Sequence, residues 1–118
     1  MDNKELLELA ALAAGYNIGF FSARNQRGFT CGFTHAKDGG DWNPLDNDGD
    51  ALRLAVKLRL LVECGYLTVD ARYNYDEVEQ WSLDDAGVTE SVHGDIYAAT
   101  RRAIVRAAAE IGKSMKVH

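Results

Sequence analysis

The sequence predicts an α+β fold, in which three helices lie against a small, mainly antiparallel sheet in the order α-β-β-α-β-β-α. Three observations predict this class. Helical periodicity occurs near both ends and in the middle of the chain, alternating or aromatic segments lie between the helices, and adjacent strands are joined by hairpin-length turns. Turns this short require antiparallel pairing. The 118 residues suffice for one hydrophobic core, so we expect a single domain over residues 1–118.

The first helix is predicted between Asp2 and Gly15. Asp2 suits the N-cap position, Glu5 follows at the spacing of a capping box, and Gly15 suits the position after the last turn. The apolar positions recur at i, i+3, i+4 and i+7, and they are Leu6, Leu9, Ala10 and Ala13. This periodicity predicts one buried helix face.

Two strands forming a hairpin are predicted next, at Tyr16–Ser22 and Gly28–Thr34. Both segments are rich in aromatic residues, which favour strands. The intervening Asn25–Gly28 has the residue types of a tight turn. We therefore expect the two strands to pair with each other.

The second helix is predicted at Ala51–Glu63, ending at Cys64 and Gly65. The preceding polar stretch, Ala36–Asp50, finishes in aspartates that suit a helix start. The apolar residues of the helix cover most of its circumference, which is typical of a helix at the centre of a core.

Alternation then predicts a half-buried strand at Tyr66–Tyr73, with Leu67, Val69 and Ala71 pointing inward. A turn at residues 74–77 and a return strand at Val78–Leu83 follow.

The acidic stretch Asp84–Gly94 is predicted to be irregular apart from a short strand at Gly87–Ser91. The last helix is predicted from Asp95 to Met115. One stripe of this helix comprises Tyr97, Thr100, Ile104, Ala107, Ala108, Ile111 and Met115.

Composition excludes several classes of protein. The net charge of −5 argues against bulk nucleic-acid binding, and the apolar runs are too short for a transmembrane helix. The N-terminus lacks the basic and apolar regions of a secretory signal. We therefore expect Cys31 and Cys64 to be reduced thiols in a cytoplasm, and we expect no membrane partner.

Catalytic and metal-binding motifs are not found in the sequence. Asp46, Asp48 and Asp50 alternate as in a calcium loop, but an EF-hand starting at Asp46 would place Lys57 at position twelve, where a glutamate is required. Capping of the following helix accounts for the aspartates without metal. Cys64 follows a predicted helix C-terminus, where the dipole disfavours a thiolate nucleophile. We expect no enzyme, cofactor or metal, and a metal-dependent enzyme using the three aspartates is the least favoured alternative.

Positive charge is concentrated on the second and last helices of this acidic chain. If Arg53 or Arg59 lies near Arg101 or Arg102, their guanidinium groups form a fork-like site for a phosphate or carboxylate. The alternative is that these arginines lie on solvated helix faces and form i,i+4 ion pairs.

Three segments carry a resemblance to a known family. The first is DWNPL at Asp41–Leu45 followed by DGDALRLAVKL at Asp48–Leu58, the second is YAATRRAIVRAAAEIG at Tyr97–Gly112, and the weakest is ELLELA at Glu5–Ala10. They resemble phage and prophage proteins that carry the phage ABA (α/β/α) sandwich domain. The resemblance spans nearly the whole chain except Tyr16–Lys37.

The resemblance implies a single ABA-sandwich-like domain and a bacteriophage accessory protein made in the cytoplasm of the infected bacterial host. Small phage proteins of comparable build include oligomeric sponges that sequester the nucleotide signals of bacterial defence. Together with the clustered arginines, this analogy leads us to expect a non-enzymatic, anti-defence protein that binds a small anionic, nucleotide-like ligand. The expected ligand-binding residues are Arg101, Arg102, Tyr97, Arg53 and Trp42. A core role is the alternative interpretation for Trp42 and Tyr97.

A second hypothesis is an inhibitor that binds a host or bacterial defence protein through the aromatic segment Tyr16–Phe33, because aromatic residues dominate protein-binding hot spots. The alternative is that its phenylalanines line the core.

We also expect a homo-oligomer, since the alanine-rich last helix lets another backbone approach closely. Those alanines would otherwise seat the helix on its own sheet.

Overall fold

A computed structural model describes residues 2–25, 28–35, 41–73 and 87–117. The described chain is a mixed α+β fold, which confirms the predicted class. Its helices are α1 (Asn3–Ala14), α2 (Asp48–Leu58) and α3 (Ile96–Val117). Its strands are β1 (Ile18–Asn25), β2 (Gly28–His35), β3 (Asp41–Trp42), β4 (Leu61–Cys64), β5 (Thr68–Arg72) and β6 (Gly87–Ser91).

Helix α1 has both predicted caps. The Asp2 side chain accepts a hydrogen bond of 2.8 Å from the backbone N–H of Glu5. Gly15 ends the helix in the left-handed region, at φ 74°, where its N–H bonds back to the last turn. The predicted bounds of this helix are therefore confirmed.

The predicted hairpin is present, but its first strand covers Ile18–Asn25 instead of Tyr16–Ser22. Strands β1 and β2 pair antiparallel from Ile18 opposite His35 to Asn25 opposite Gly28. Strand β3, which the sequence analysis did not predict, pairs Trp42 with Phe33 and completes this sheet, called sheet A. The two central residues of the predicted turn lie outside the described residues.

The predicted bounds of the second helix were wrong. Asn47 caps α2 by accepting a hydrogen bond of 2.8 Å from the N–H of Asp50, so the helix starts before Ala51. Arg59 adopts the left-handed conformation at φ 57° and ends the helix well before Glu63. The chain continues past this point as strand β4, because a short apolar run suits a strand as well as a helix.

Strands β4, β5 and β6 form sheet B, in which both neighbouring pairs are antiparallel. The predicted strands around Val69 and at Gly87–Ser91 are confirmed. Val69 and Ala71 are fully buried as expected, but Leu67 is 80% exposed because it lies in the turn before β5. The predicted turn at 74–77 and return strand at 78–83 lie outside the described residues.

Helix α3 lies between sheet B and α1. One core cluster joins α3 to sheet B, and a second joins it to α1 and α2. Five of its alanines are buried at these contacts: Ala99, Ala103, Ala107, Ala108 and Ala109. The alanines therefore seat the helix within its own domain, which was the alternative to their expected role in oligomerisation. Of the predicted stripe, Tyr97 and Met115 are exposed.

The other face of sheet B is polar. Arg72 forms ion pairs with Glu63 and with Asp70, and the hydroxyl of Thr89 donates to Asp70 at 2.7 Å. Counting from this face inward, the layers of the described residues are sheet, helix and helix. An arrangement with helices on both faces of one sheet is not seen among them. In the described part of the chain, no helix is both long and apolar enough to span a membrane.

Candidate functional site

A groove of about 520 Å³ lies between α2, β4 and the first turns of α3. Most of its lining is apolar, and polar groups are found at its edge and at one point of its wall. The apolar side chains are Ala51, Leu52, Ala55, Val62, Ile96 and Ile104. The remaining lining residues are Asp48, Cys64, Tyr97, Thr100 and Arg101.

This groove exists because α2 ends several residues before the predicted end of the helix. Because the helix stops at Arg59, the chain turns back as β4 and brings Val62 and Cys64 opposite α3. On α3, Thr100 and Ile104 are one turn apart and therefore lie on the same side of the helix.

Arg101 is held at the groove edge by two hydrogen bonds. Its Nε donates to the carbonyl oxygen of Leu45 at 2.8 Å, and a terminal nitrogen donates to the carboxylate of Asp48 at 2.7 Å. The Arg101 side chain is only 18% exposed, whereas that of Asp48 is 70% exposed. The guanidinium is therefore fixed in place, and its carboxylate partner is open to solvent.

Tyr97 lines the groove and is 69% exposed. Its backbone N–H and that of Ala98 both donate to the carboxylate of Asp95, at 3.0 and 3.1 Å. This contact is the usual role of an aspartate before the first turn of a helix. The cap fixes the turn that presents the Tyr97 ring.

Cys64 and Thr100 face each other in the groove, with 3.7 Å between Sγ and Oγ1. Since the Thr100 hydroxyl donates to the carbonyl oxygen of Ile96, it is available to accept from the Cys64 thiol. Cys64 is an exposed free thiol in strand β4, so its predicted position behind a helix C-terminus was wrong.

The two arginines Arg102 and Arg53 lie outside the groove lining. Arg102 is 3.5 Å from the carboxylate of Glu90, which also binds Arg106 at 2.6 Å. Arg53 pairs with Asp50 of its own helix at 2.7 Å. The arginines expected to form a shared fork thus have separate carboxylate partners.

Trp42 also lies outside the groove lining, and it is 4% exposed. Its ring lies edge-on to the ring of Tyr16, with 5.9 Å between centroids, and it belongs to the core cluster of α1, α2 and α3. This burial is the core role that was the alternative interpretation for Trp42. Of the five predicted ligand-binding residues, the groove therefore brings together Tyr97 and Arg101.

The aspartates near α2 all accept hydrogen bonds. Asp50 accepts from the backbone N–H of Asn43 at 2.9 Å and from Arg53, while Asp46 accepts from the Asn43 side chain at 3.2 Å. Asp48 is the partner of Arg101. Within the described ranges there is no group of three or more potential metal ligands.

Sequence reasoning missed Leu52, Val62, Cys64 and Thr100 as groove residues. For two of these residues the sequence contains a signal. Val62 and Cys64 are two positions apart, which places both on the same face of a strand. That signal is hidden as long as the segment is assigned to a helix.

No protein-family model matches the chain, and searches of curated proteins and of solved structures gave no significant match. The resemblance to the phage ABA-sandwich proteins therefore stays a prediction from its motifs.

Proposed function

We propose that the chain is a non-enzymatic binding protein that holds a small nucleotide-like ligand, with an apolar or aromatic body and one anionic group, in the groove between α2, β4 and α3. The observation that carries this proposal is that Tyr97 and Arg101 line the same groove. The motif resemblance extends the proposal to a phage accessory protein with an anti-defence role in the infected bacterial cytoplasm.

The groove suits the body of such a ligand. Small-molecule sites commonly measure roughly 300–1,000 Å³ and combine apolar walls with few polar groups. The groove, at about 520 Å³, lies in this range and has mainly aliphatic walls. The exposed ring of Tyr97 offers a surface for stacking, which is worth about 1–3 kcal/mol per base in proteins that bind single strands.

The anionic group would bind Arg101 by replacing Asp48. Because the Asp48 carboxylate is 70% exposed, solvent screens its ion pair with Arg101, which contributes about 1 kcal/mol, so a ligand phosphate or carboxylate can compete with it. The bond to Leu45 keeps the guanidinium oriented during the exchange. Because Asp48 stays near the site and repels negative charge, a ligand with one anionic group is favoured over a polyphosphate.

Thermal unfolding with a panel of nucleotides tests this proposal. The panel comprises cyclic dinucleotides, cyclic and linear mononucleotides, an ADP-ribose and a nucleoside triphosphate. A ligand at 100 times its dissociation constant should raise the free energy of unfolding by about 2.7 kcal/mol.

Matched variants locate the binding site. Each variant is compared with its own ligand-free form. Arg101→Met and Tyr97→Ala should abolish the ligand-induced shift, whereas Arg53→Met and Tyr66→Ala, which change the same residue types outside the groove lining, should retain it. Asp48→Asn should tighten binding, because it removes the competing charge. If no nucleotide changes the melting temperature, or if Arg53→Met and Arg101→Met behave alike, the proposal is wrong.

The second candidate, an inhibitor of a defence protein, is favoured by the β1–β2 hairpin. Its strands are eight residues long, and their contacts are mainly within sheet A rather than with the helices. Long hairpins of this kind can present a recognition surface to a partner protein.

A shortened hairpin tests this candidate. Phe21 and Gly32 lie opposite each other, so an Asn-Gly turn can replace residues 22–31 without changing the register. A stoichiometric partner captured from bacterial lysate by the full chain, and lost with the shortened chain, would support it. A preparation that captures nothing would count against it.

A further inference from the structure

We infer that the exposed face of α2 binds a second copy of this chain, with the two α2 helices antiparallel across a twofold axis. This inference goes beyond the proposed function and does not depend on it, although Leu52 and Asp48 belong both to this face and to the groove lining. It starts from an apolar surface that the domain leaves uncovered.

Leu52 and Val56 are one helical turn apart on α2, and they are 64% and 63% exposed. Their neighbours Ala51, Leu54 and Ala55 are buried on the inner side of the same helix. Leu52 also belongs to the apolar lining of the groove, so these side chains are part of a contiguous apolar surface, and such a surface rimmed by charged residues is typical of an interface. The predicted role of α2 as a helix buried on most sides was thus wrong at these two positions.

The charges at the ends of this stripe indicate which partner fits. Asp48 lies one turn before Leu52, and Arg59 lies exposed just after the last turn. The eleven-residue helix is roughly 16 Å long, so the two charges act at opposite ends. A helix of the same sequence in the antiparallel direction would therefore place a cation at each anionic end.

The Asp48 carboxylate pairs with Arg101 of its own chain but stays 70% exposed, so in this arrangement it also meets Arg59 of the partner subunit, and symmetry forms the same contact twice. The helix dipoles are also antiparallel, which is favourable. A parallel arrangement would instead set Asp48 against its own copy. Charge complementarity therefore favours a second copy in the antiparallel direction.

Light scattering behind a sizing column, over a series of protein concentrations, tests the inference. We expect the measured mass to rise towards twice the 13.0 kDa of one chain as the protein concentration increases. Val56→Asp should give the monomer mass throughout, since it puts a charge in the interface. Leu67→Asp is the matched control, because Leu67 is 80% exposed but lies outside α2, and this variant should still dimerise.

The antiparallel direction has its own test. Arg59→Asp should raise the dissociation constant of the dimer about tenfold, and adding Asp48→Asn should restore part of the loss because it removes the repulsion between the two carboxylates. Lys57→Asp is the control, because Lys57 lies over the ring of Tyr16 and away from the stripe. Far-ultraviolet circular dichroism of each variant checks that the fold is intact.

Three results would overturn the inference: a mass near 13.0 kDa at every concentration, a dimer that survives Val56→Asp, or equal effects of Arg59→Asp and Lys57→Asp. The ligand proposal is judged separately. Leu52 and Asp48 line the groove as well, so a dimer and a bound nucleotide would compete for them. Val56 does not line it, and nucleotide-induced melting shifts in monomeric Val56→Asp therefore report on the groove without the dimer.

Discussion

Gly112 of α3 lies against the backbone of Leu9 of α1, so closely that a Cβ atom on Gly112 would be 2.8 Å from the Leu9 carbonyl carbon and would overlap its oxygen. Gly112 is buried, and α1 and α3 share a core cluster of leucine, isoleucine, valine and alanine side chains. The missing side chain at position 112 therefore sets how closely these two helices approach.

The first prediction is that Gly112→Ala destabilises the fold, although alanine is the better helix former. The added methyl group meets backbone rather than a flexible side chain, so the helices must separate. We expect a loss of about 3 kcal/mol in the free energy of unfolding, measured by urea denaturation. Gly19→Ala is the control, because nothing lies within 4 Å of a Cβ there. A Gly112→Ala protein as stable as wild type would contradict the close approach.

The second prediction separates the core role of Trp42 from a ligand role. Trp42→Ala removes a ring that is almost fully buried, so we expect a loss of about 3–5 kcal/mol in stability. Trp42→Phe keeps part of the packing and should still shift its melting temperature with any nucleotide that binds the wild type. Loss of that shift in a stable Trp42→Phe protein would show that Trp42 contacts the ligand.

The predictable part of the fold is the part in which local signals and burial agree. Asp2 and Gly15 have side-chain chemistry that suits their cap positions, and the structure uses both. The register in which β1 pairs with β2 also follows from a local signal, the turn that joins the two strands. These features depend on a few neighbouring residues, so one sequence is enough to predict them.

The second helix shows why the rest was harder. No glycine or proline marks the end of this helix. The C-terminal residue with left-handed backbone is Arg59, and arginine rarely adopts this conformation. The following apolar residues pair with β5, a contact that local periodicity does not encode. Because that error hid β4, it also hid the groove. Arg101 and Tyr97 were predicted as ligand-binding residues without this groove, because their grouping with Cys64 depends on tertiary structure.

The third prediction concerns the two bonds of Arg101. Arg101→Met leaves the partly buried carbonyl oxygen of Leu45 without its donor and removes the ion pair, so we expect a loss of about 2 kcal/mol in stability. Asp48→Asn removes the pair with an exposed carboxylate and a favourable negative charge in the first turn of α2, and it should cost about 1 kcal/mol. Urea denaturation of both variants measures the difference. Equal losses would mean that the bond to Leu45 contributes little.

The fourth prediction uses Cys64 as a reporter of groove occupancy. In a Cys31→Ser background, the exposed Cys64 thiol should react with a maleimide, and a bound nucleotide should slow this reaction because Cys64 lines the groove. At 100 times the dissociation constant of the ligand, about 99% of the sites are filled, so the rate should fall by up to about a hundredfold.

The control for this prediction is a thiol elsewhere on the same sheet. Ser91→Cys, in a chain with both natural cysteines changed to serine, places an exposed thiol on β6, outside the groove lining. Its reaction rate should not depend on the nucleotide. Conversely, a maleimide adduct on Cys64 fills space that the ligand needs, so the modified protein should lose its nucleotide-induced melting shift. A nucleotide that stabilises the protein yet leaves Cys64 fully reactive would bind elsewhere, and Arg101→Met would then leave its affinity unchanged.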